Sequence, residues 1–197
     1  MRSIVGIDEV GRGPLAGPVS VGIVVCKRHF SIEGITDSKL MGEADREAVY
    51  AIAQSMVVAG TITFGVYSTS AQDIDKDGIE RAISGAISRG LASLMPDPKD
   101  ADVVLDGRLR APSTYRQQSI IHGDLLVPAI SLAAIVAKVT RDRHMAGDVA
   151  SEYPAYGFAA HKGYGTKDHI AAIKQHGPSP IHRMSFLSNI MGATIHA

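Results

Sequence analysis

Residues 3–28 read SIVGIDEVGRGPLAGPVSVGIVVCKR, and the punctuation inside this stretch decides the fold. SIVGID is a short apolar strand, and VSVGIVVCKR is a second β-rich run. Between them, GRGPLAGP holds too much glycine and proline for the interior of a helix or strand. Asp8 and Glu9 fall at the end of the first strand, just before this loop. Neighbouring side chains of a strand point to opposite faces, so Ile4, Gly6 and Asp8 share one face while Val5, Ile7 and Glu9 share the other. The two acids meet at one point only if the strand ends or twists there. Gly11 and Gly13 supply the freedom for such a departure.

The loop also admits a rival reading. Gly11, Gly13 and Ala16 fit G-x-G-x-x-A after a strand, and Glu33 follows about 20 residues on, the layout of a dinucleotide-binding turn. That turn needs a helix whose N-terminus receives the pyrophosphate. Here Pro14, Gly17 and Pro18 interrupt the stretch and the next run is β-rich, so an oxidoreductase of this kind is set aside. No Gly-Lys-Ser/Thr follows, which excludes a Walker A loop. The remaining use is close backbone approach to a ligand, with Arg12 beside it as a phosphate contact.

Outward from this stretch, GEADREAVYAIAQSM (42–56) has helical spacing, with Ala44, Val49, Ile52, Ala53 and Met56 near one face. TITFGVYS (61–68) alternates like a third strand. Ser70 is placed to cap a helix running through IERAISGAISRGLASL to residue 94. ADVVLD (101–106) is a strand apolar enough to be buried on both faces, and YRQQSII (115–121) is a candidate fifth. Residues 128–153 read as one long helix with Pro128 in its first turn. The Gly-rich HKGYGT and a helix over 166–177, stopped by Gly177 and Pro178, close the chain. Three strands followed by alternating helices and strands indicate a mixed α/β sheet with a small helical C-terminal part.

Composition narrows the class. With 197 residues and 45% hydrophobic content the chain can bury a core, which excludes a disordered or collagen-like polymer. The single cysteine, Cys26, makes no internal disulfide and sits in an apolar strand, where it reads as a small core residue. The start, MRSIVGIDEV, reaches acidic residues too soon for a signal peptide, and the apolar run Leu125–Ala137 is too short to span a bilayer. The expectation is a cytoplasmic protein with no membrane contact. Net charge is zero, but residues 1–107 carry 10 Lys/Arg against 15 Asp/Glu and residues 108–197 carry 10 against 5. An acidic half joined to a basic half suits an acidic centre beside a surface that holds a polyanion.

Four carboxylates lie near element ends: Asp8 and Glu9, Asp106 in VVLDG, and Asp124 in HGDLL. Ligands favour the carboxyl ends of sheet strands. Crowded carboxylates repel unless a cation sits between them, and oxygen ligands of this kind suit Mg2+ or Mn2+. Tyr164, between two glycines, presents a ring for stacking on a sugar or base, or else packs over the core edge. Lys39 in TDSKL is a candidate phosphate contact or an ordinary surface lysine. Lys138, Arg141 and Arg143 read as a solvated face of the long helix, with Lys138 and Asp142 paired at i,i+4. The histidines show no metal-ligand spacing and read mostly as surface residues.

These residues together identify a family. GIDEVGRGPLAGP (6–18) closely resembles the opening signature of type 2 ribonuclease H, specifically ribonuclease HII. The resemblance continues through TDSKL, VVLDG, GD before AIVAKVTRDR, YPAYGFAAHKGYGT and HGPSPIHRMSF, in family order and over essentially the whole chain. It implies a ribonuclease H-like mixed five-stranded sheet flanked by helices, with a catalytic domain over 1–150 and a helical C-terminal subdomain over 151–197 that contributes the Tyr164 loop. It implies endonucleolytic cleavage of the RNA strand of RNA/DNA hybrids and incision 5′ of single ribonucleotides in duplex DNA, leaving a 3′-hydroxyl and a 5′-phosphate. Carried over by motif, Asp8, Glu9, Asp106 and Asp124 are the catalytic carboxylates that bind two divalent ions, Mn2+ or Mg2+. Gly11, Arg12 and Gly13 read the ribose 2′-hydroxyl and neighbouring phosphates, Lys39 contacts phosphate, and Tyr164 stacks on the sugar of the following deoxynucleotide. The expected partners are hybrid duplex and ribonucleotide-containing DNA duplex, bound by a monomer with no obligate protein partner. A ribonuclease HIII-like nuclease and a non-catalytic hybrid-binding module are the alternatives. Leu40, where the family often has lysine, and Ala134, where it usually has serine, are departures that bear on substrate affinity.

Overall fold

The computed structural model of the chain describes residues 2–32, 41–95 and 97–192. Lys39, Leu40 and Glu33 lie outside these residues. Five strands, β1 (Ser3–Val10), β2 (Val19–Cys26), β3 (Ile62–Thr69), β4 (Ala101–Asp106) and β5 (Arg116–Ile120), form one mixed sheet in the order β3-β2-β1-β4-β5. β1 pairs antiparallel with β2 and parallel with β4, and β4 pairs parallel with β5. The stretch after the Gly-rich loop is strand β2, so no helix stands where a dinucleotide fingerprint requires one.

Helices cover both faces. On one side α3 (Ile79–Leu94) lays Ala82, Ile83, Ala86, Ile87 and Leu91 against Val5, Ile7, Val21 and Ile23. On the other, α1 (Glu43–Val58) and α5 (Pro128–His144) pack Val49, Ala53, Leu132, Ala133 and Val136 over Val24, Cys26 and Ile62. α5 lies close because the strand beneath it has no side chain in the way: a Cβ on Gly6 would stand 2.3 Å from the backbone of Ala129. This is the face that Asp8 shares, so the close seating of α5 also brings its polar positions toward Asp8.

Several expectations change. α1 buries Val49 and Ala53, but Ala44 and Ile52 are exposed, so its apolar stripe is narrower than the spacing indicated. Ser70 caps as expected, its Oγ accepting from Asp73 N at 3.1 Å. The helix it starts, α2 (Ala71–Asp77), stops at Gly78, whose φ of 82° breaks the run before α3 begins. β4 alternates: Ala101, Val103 and Leu105 are buried while Asp102, Val104 and Asp106 are only half covered, so it is not enclosed on both faces. Toward the C-terminus, α4 (Gly123–Leu126) precedes α5, which passes through a wide π-type turn over Met145–Val149 into α6 (Ala150–Glu152). α7 (Phe158–His161), α8 (Lys167–His176) and α9 (Ser188–Met191) follow, α8 capped by Thr166 and ended at Gly177. Among the described residues no helix is long and apolar enough to cross a membrane.

Candidate active site

The register of β1 and β4 builds the acidic centre. Ile7 faces Leu105 in the parallel pair, so Asp8 and Asp106 are the next residues on neighbouring strands. Strands stand about 4.8 Å apart, close enough for their carboxylates to repel strongly. Asp124 joins from α4, where its backbone N–H donates to Asp106 Oδ1 at 3.3 Å and its carbonyl accepts from Ser131 Oγ. Asp8 and Asp124 are 8% and 3% exposed. Burial, then the charges of Glu9, Asp106 and Asp124, push the Asp8 carboxyl well above its ordinary range, against a stabilising bond from Glu9 N–H. Burial also raises Glu9, opposed by the Arg12 guanidinium, which donates to Glu9 Oε1 at 3.1 Å.

β1 continues to Val10, so Asp8 and Glu9 do point to opposite faces; the chain departs from strand geometry only at Gly11, with φ of 87°. They meet instead at the mouth of a cleft of about 420 Å³ that both faces reach at the sheet's end. Asp8, Glu9, Gly11, Arg12, Gly13, Arg46, Ala134, Lys138 and Tyr164 line it. Gly13 sits in open space and Tyr164 is 38% exposed, its ring 5.4 Å from Lys138 Nζ. Asp106 and Asp124 do not line this cleft, but their charges act on Asp8. Among the described residues no three acidic, histidine or cysteine side chains stand as a finished metal cage. The donor set nonetheless fits a hard divalent cation: it is all oxygen, and its most buried acids are crowded by like charge that a cation would neutralise.

Sequence reasoning missed how this cleft is held. Arg141 and Arg183, 1% and 0% exposed, are not surface residues. Arg141 donates to Ala16 O, Pro18 O and Lys162 O at 3.2, 2.9 and 3.0 Å. Arg183 donates to Gly11 O, Arg12 O and Gly17 O at 2.6, 2.9 and 3.0 Å. Five carbonyls of the loop thus turn inward onto two guanidiniums. Lys138 does pair with Asp142, as its spacing indicates, but it faces the cleft as well. His169 and His182, expected at the surface, are buried at 0% and 2% exposure. Cys26 is a core residue as expected, its thiol pushed up by burial to about 11.

A family model for ribonuclease HII matches residues 5–189. A ribonuclease HII of Coxiella burnetii is 43% identical over 183 residues, covering 93% of this chain and 87% of its own. One of Bacillus cereus is 45% identical, covering 93% of this chain and 68% of its own. The chain belongs to the ribonuclease HII family. Among solved structures, ribonuclease H2 from Pyrococcus horikoshii superposes with a TM-score of 0.72 at 22% identity, over 95% of this chain and 96% of that one. Bst-RNase HIII in complex with Mn2+ gives 0.65 at 15% identity, over 94% of this chain but 67% of its own, so the shared fold is matched end to end by the former and not the latter.

Proposed function

We propose that the protein is an endoribonuclease that hydrolyses the RNA strand of RNA/DNA hybrids and cuts 5′ of single ribonucleotides in duplex DNA. The observation that carries this reading is the crowding of Glu9, Asp106 and Asp124 around a buried Asp8 at the mouth of the cleft lined by Gly11, Arg12, Gly13 and Tyr164. Asp8, Glu9, Asp106 and Asp124 would hold divalent cations, Mn2+ or Mg2+, two in number. Held by these carboxylates, such ions would supply an activated water and charge neutralisation at the leaving 3′-oxygen. The protein's own groups supply position. The glycine loop brings backbone amides to the ribose and phosphates, and Arg12, 42% exposed on its side chain and already paired with Glu9 and Glu80, adds a charged contact. A site built to satisfy the 2′-hydroxyl rejects all-DNA strands because its polar groups would be left unpaired, a discrimination on the order of 10⁴ in comparable sites. Tyr164 stacks on the sugar that follows, so the enzyme senses an RNA-to-DNA junction, and Lys138 and Arg46 favour the phosphate backbone whatever the base sequence.

The C-terminal residues from 151 onward serve as a substrate-facing subdomain in this reading. The test is a labelled duplex with one ribonucleotide beside an all-DNA control, with Mg2+ or with EDTA. Metal-dependent cutting of the first alone supports it. Cutting that persists in EDTA, or binding without any cutting, overturns it.

A further inference from the structure

Behind Tyr164 lies a chain of buried histidines that the acidic centre does not use. His182 Nδ1 has the Ser179 backbone N–H at 2.9 Å, the Ser179 hydroxyl at 2.8 Å and Ser179 O at 3.3 Å. The N–H can only donate and is nearer than the carbonyl, and the hydroxyl can donate as well, so that nitrogen carries no proton. His182 therefore carries its proton on Nε2. Tyr164 O, which can only accept, lies 2.9 Å from His169 Nδ1, so His169 carries its proton there and leaves Nε2 bare. The two Nε2 atoms face each other at 3.0 Å, one with a proton and one without. The whole set is consistent in one direction: Ser179 N–H to His182, His182 to His169, His169 to the Tyr164 carbonyl. His161 stacks on His169 with ring centres 4.4 Å apart, and is itself fixed by Tyr156 O at 2.7 Å and Gly163 N–H at 3.2 Å.

We propose that His169 and His182 are positioning residues that fix Tyr164 for junction recognition through this one-way hydrogen-bond chain. The proposal rests on the role given to Tyr164 above. The Tyr164 carbonyl also accepts from Thr166 N at 2.8 Å, so its orientation sets the tight turn that presents the ring. With the opposite neutral tautomers the Nε2–Nε2 bond merely reverses, but a bare His169 Nδ1 then meets the lone pairs of Tyr164 O and a protonated His182 Nδ1 meets the Ser179 N–H. A second proton on His169 sets two N–H groups against each other at Nε2 unless His182 moves its own proton to Nδ1, against the Ser179 N–H. The neutral pattern is thus the one that matches every donor of the chain to an acceptor, Ser179 N–H included, which ties the aromatic platform to the packing of the C-terminal helices.

Nitrogen-15 NMR of the whole protein at neutral pH reads the tautomers directly. The expected spectrum has His169 bare at Nε2 and His182 bare at Nδ1; either ring charged, or His169 bare at Nδ1, overturns the proposal. Amide exchange at Thr166 then reads the turn without any catalysis. His169→Leu, which removes the donor to Tyr164 O, is expected to speed that exchange, and His169→Asn, which places an N–H near the Nδ1 position, to restore it. Should His169→Leu not fold, His182→Gln against His182→Leu supplies the same comparison one link back. Exchange unchanged in the folded leucine variants overturns the proposal. On a single-ribonucleotide duplex His169→Leu should raise KM roughly tenfold with little change in kcat, about the worth of one buried hydrogen bond. Tyr164→Ala in the same assay separates the two ideas: normal cleavage by that variant removes the junction role of Tyr164, while the spectra and exchange still decide the histidine chain.

Discussion

Arg183 Nη2 donates to the carbonyl of Gly11 at 2.6 Å, joining two residues 172 positions apart. The bond ties the C-terminal part of the chain to the loop where β1 ends. Gly11 can turn its carbonyl inward because its φ is 87° and because a side chain there would strike the Arg141 guanidinium. The loop's shape is therefore set from behind, by arginines that have given up solvent. Arg183→Met leaves three buried carbonyls without a donor, so we expect a stability loss of about 3–5 kcal/mol in urea unfolding. Arg183→Lys keeps charge but not the three-way fork, and should still weaken duplex binding in a gel-shift titration. Wild-type affinity in both variants would show that the loop holds its own shape.

Asp8 carries a conflict between stability and use. It is buried among three other acids, which makes its ionised form unfavourable in the folded chain. Asp8→Asn removes that repulsion and is expected to raise Tm while cleavage falls by at least about a hundredfold. Adding Mn2+ should raise Tm of the wild type and leave the variant nearly unmoved. A lower Tm for Asp8→Asn in metal-free buffer would contradict this account of the centre.

The histidine pair gives the fold an acid limit. Burial first, then the neighbouring His161 and His182, hold His169 down to about 4 from 6.5. The unfolded chain binds this proton below about 6.5 while the folded chain resists it, so stability is complete above that pH. It is lost progressively as pH falls toward 4, by about 3 kcal/mol for this group. His182 is lowered as well and adds in the same direction. Unfolding free energies measured between pH 7.5 and 4.5 should show this slope, and His169→Asn should flatten it. Equal slopes in the two proteins would remove His169 from the acid transition.

Gly6 is where sheet and helix touch. A methyl group there would meet the Ala129 carbonyl carbon and oxygen at 2.3 Å, backbone atoms that cannot swing away. Gly6→Ala is expected to cost about 1–3 kcal/mol or more, and to lower cleavage because α5 carries Lys138 into the cleft. Unchanged denaturation and rate would mean that α5 is free to shift.

What the sequence revealed was local chemistry and a long signature. The strand Ala101–Asp106, the Ser70 cap and the stop at Gly177 depend on neighbours in the chain, and all three were legible. The break at Gly78 was not, because a lone glycine is tolerated inside helices. The four acids were legible as types at element ends. That Asp8 stands beside Asp106 depends on a parallel register between residues 98 positions apart, with Ile7 opposite Leu105, which no local pattern encodes. Arg141, His169 and His182 read as surface residues because their types usually are, and nothing near Arg183 in the chain marks it as buried. Their burial follows from carbonyl acceptors on distant turns, visible only once the C-terminal helices are docked.

The most direct test is single-turnover cleavage of an end-labelled duplex with one ribonucleotide, followed with increasing Mn2+ for the wild type and Asp106→Asn. The account expects one cut on the 5′ side of the ribonucleotide in the wild type, rising with metal, and none above background in the folded variant. Cleavage by Asp106→Asn at the wild-type rate would contradict it.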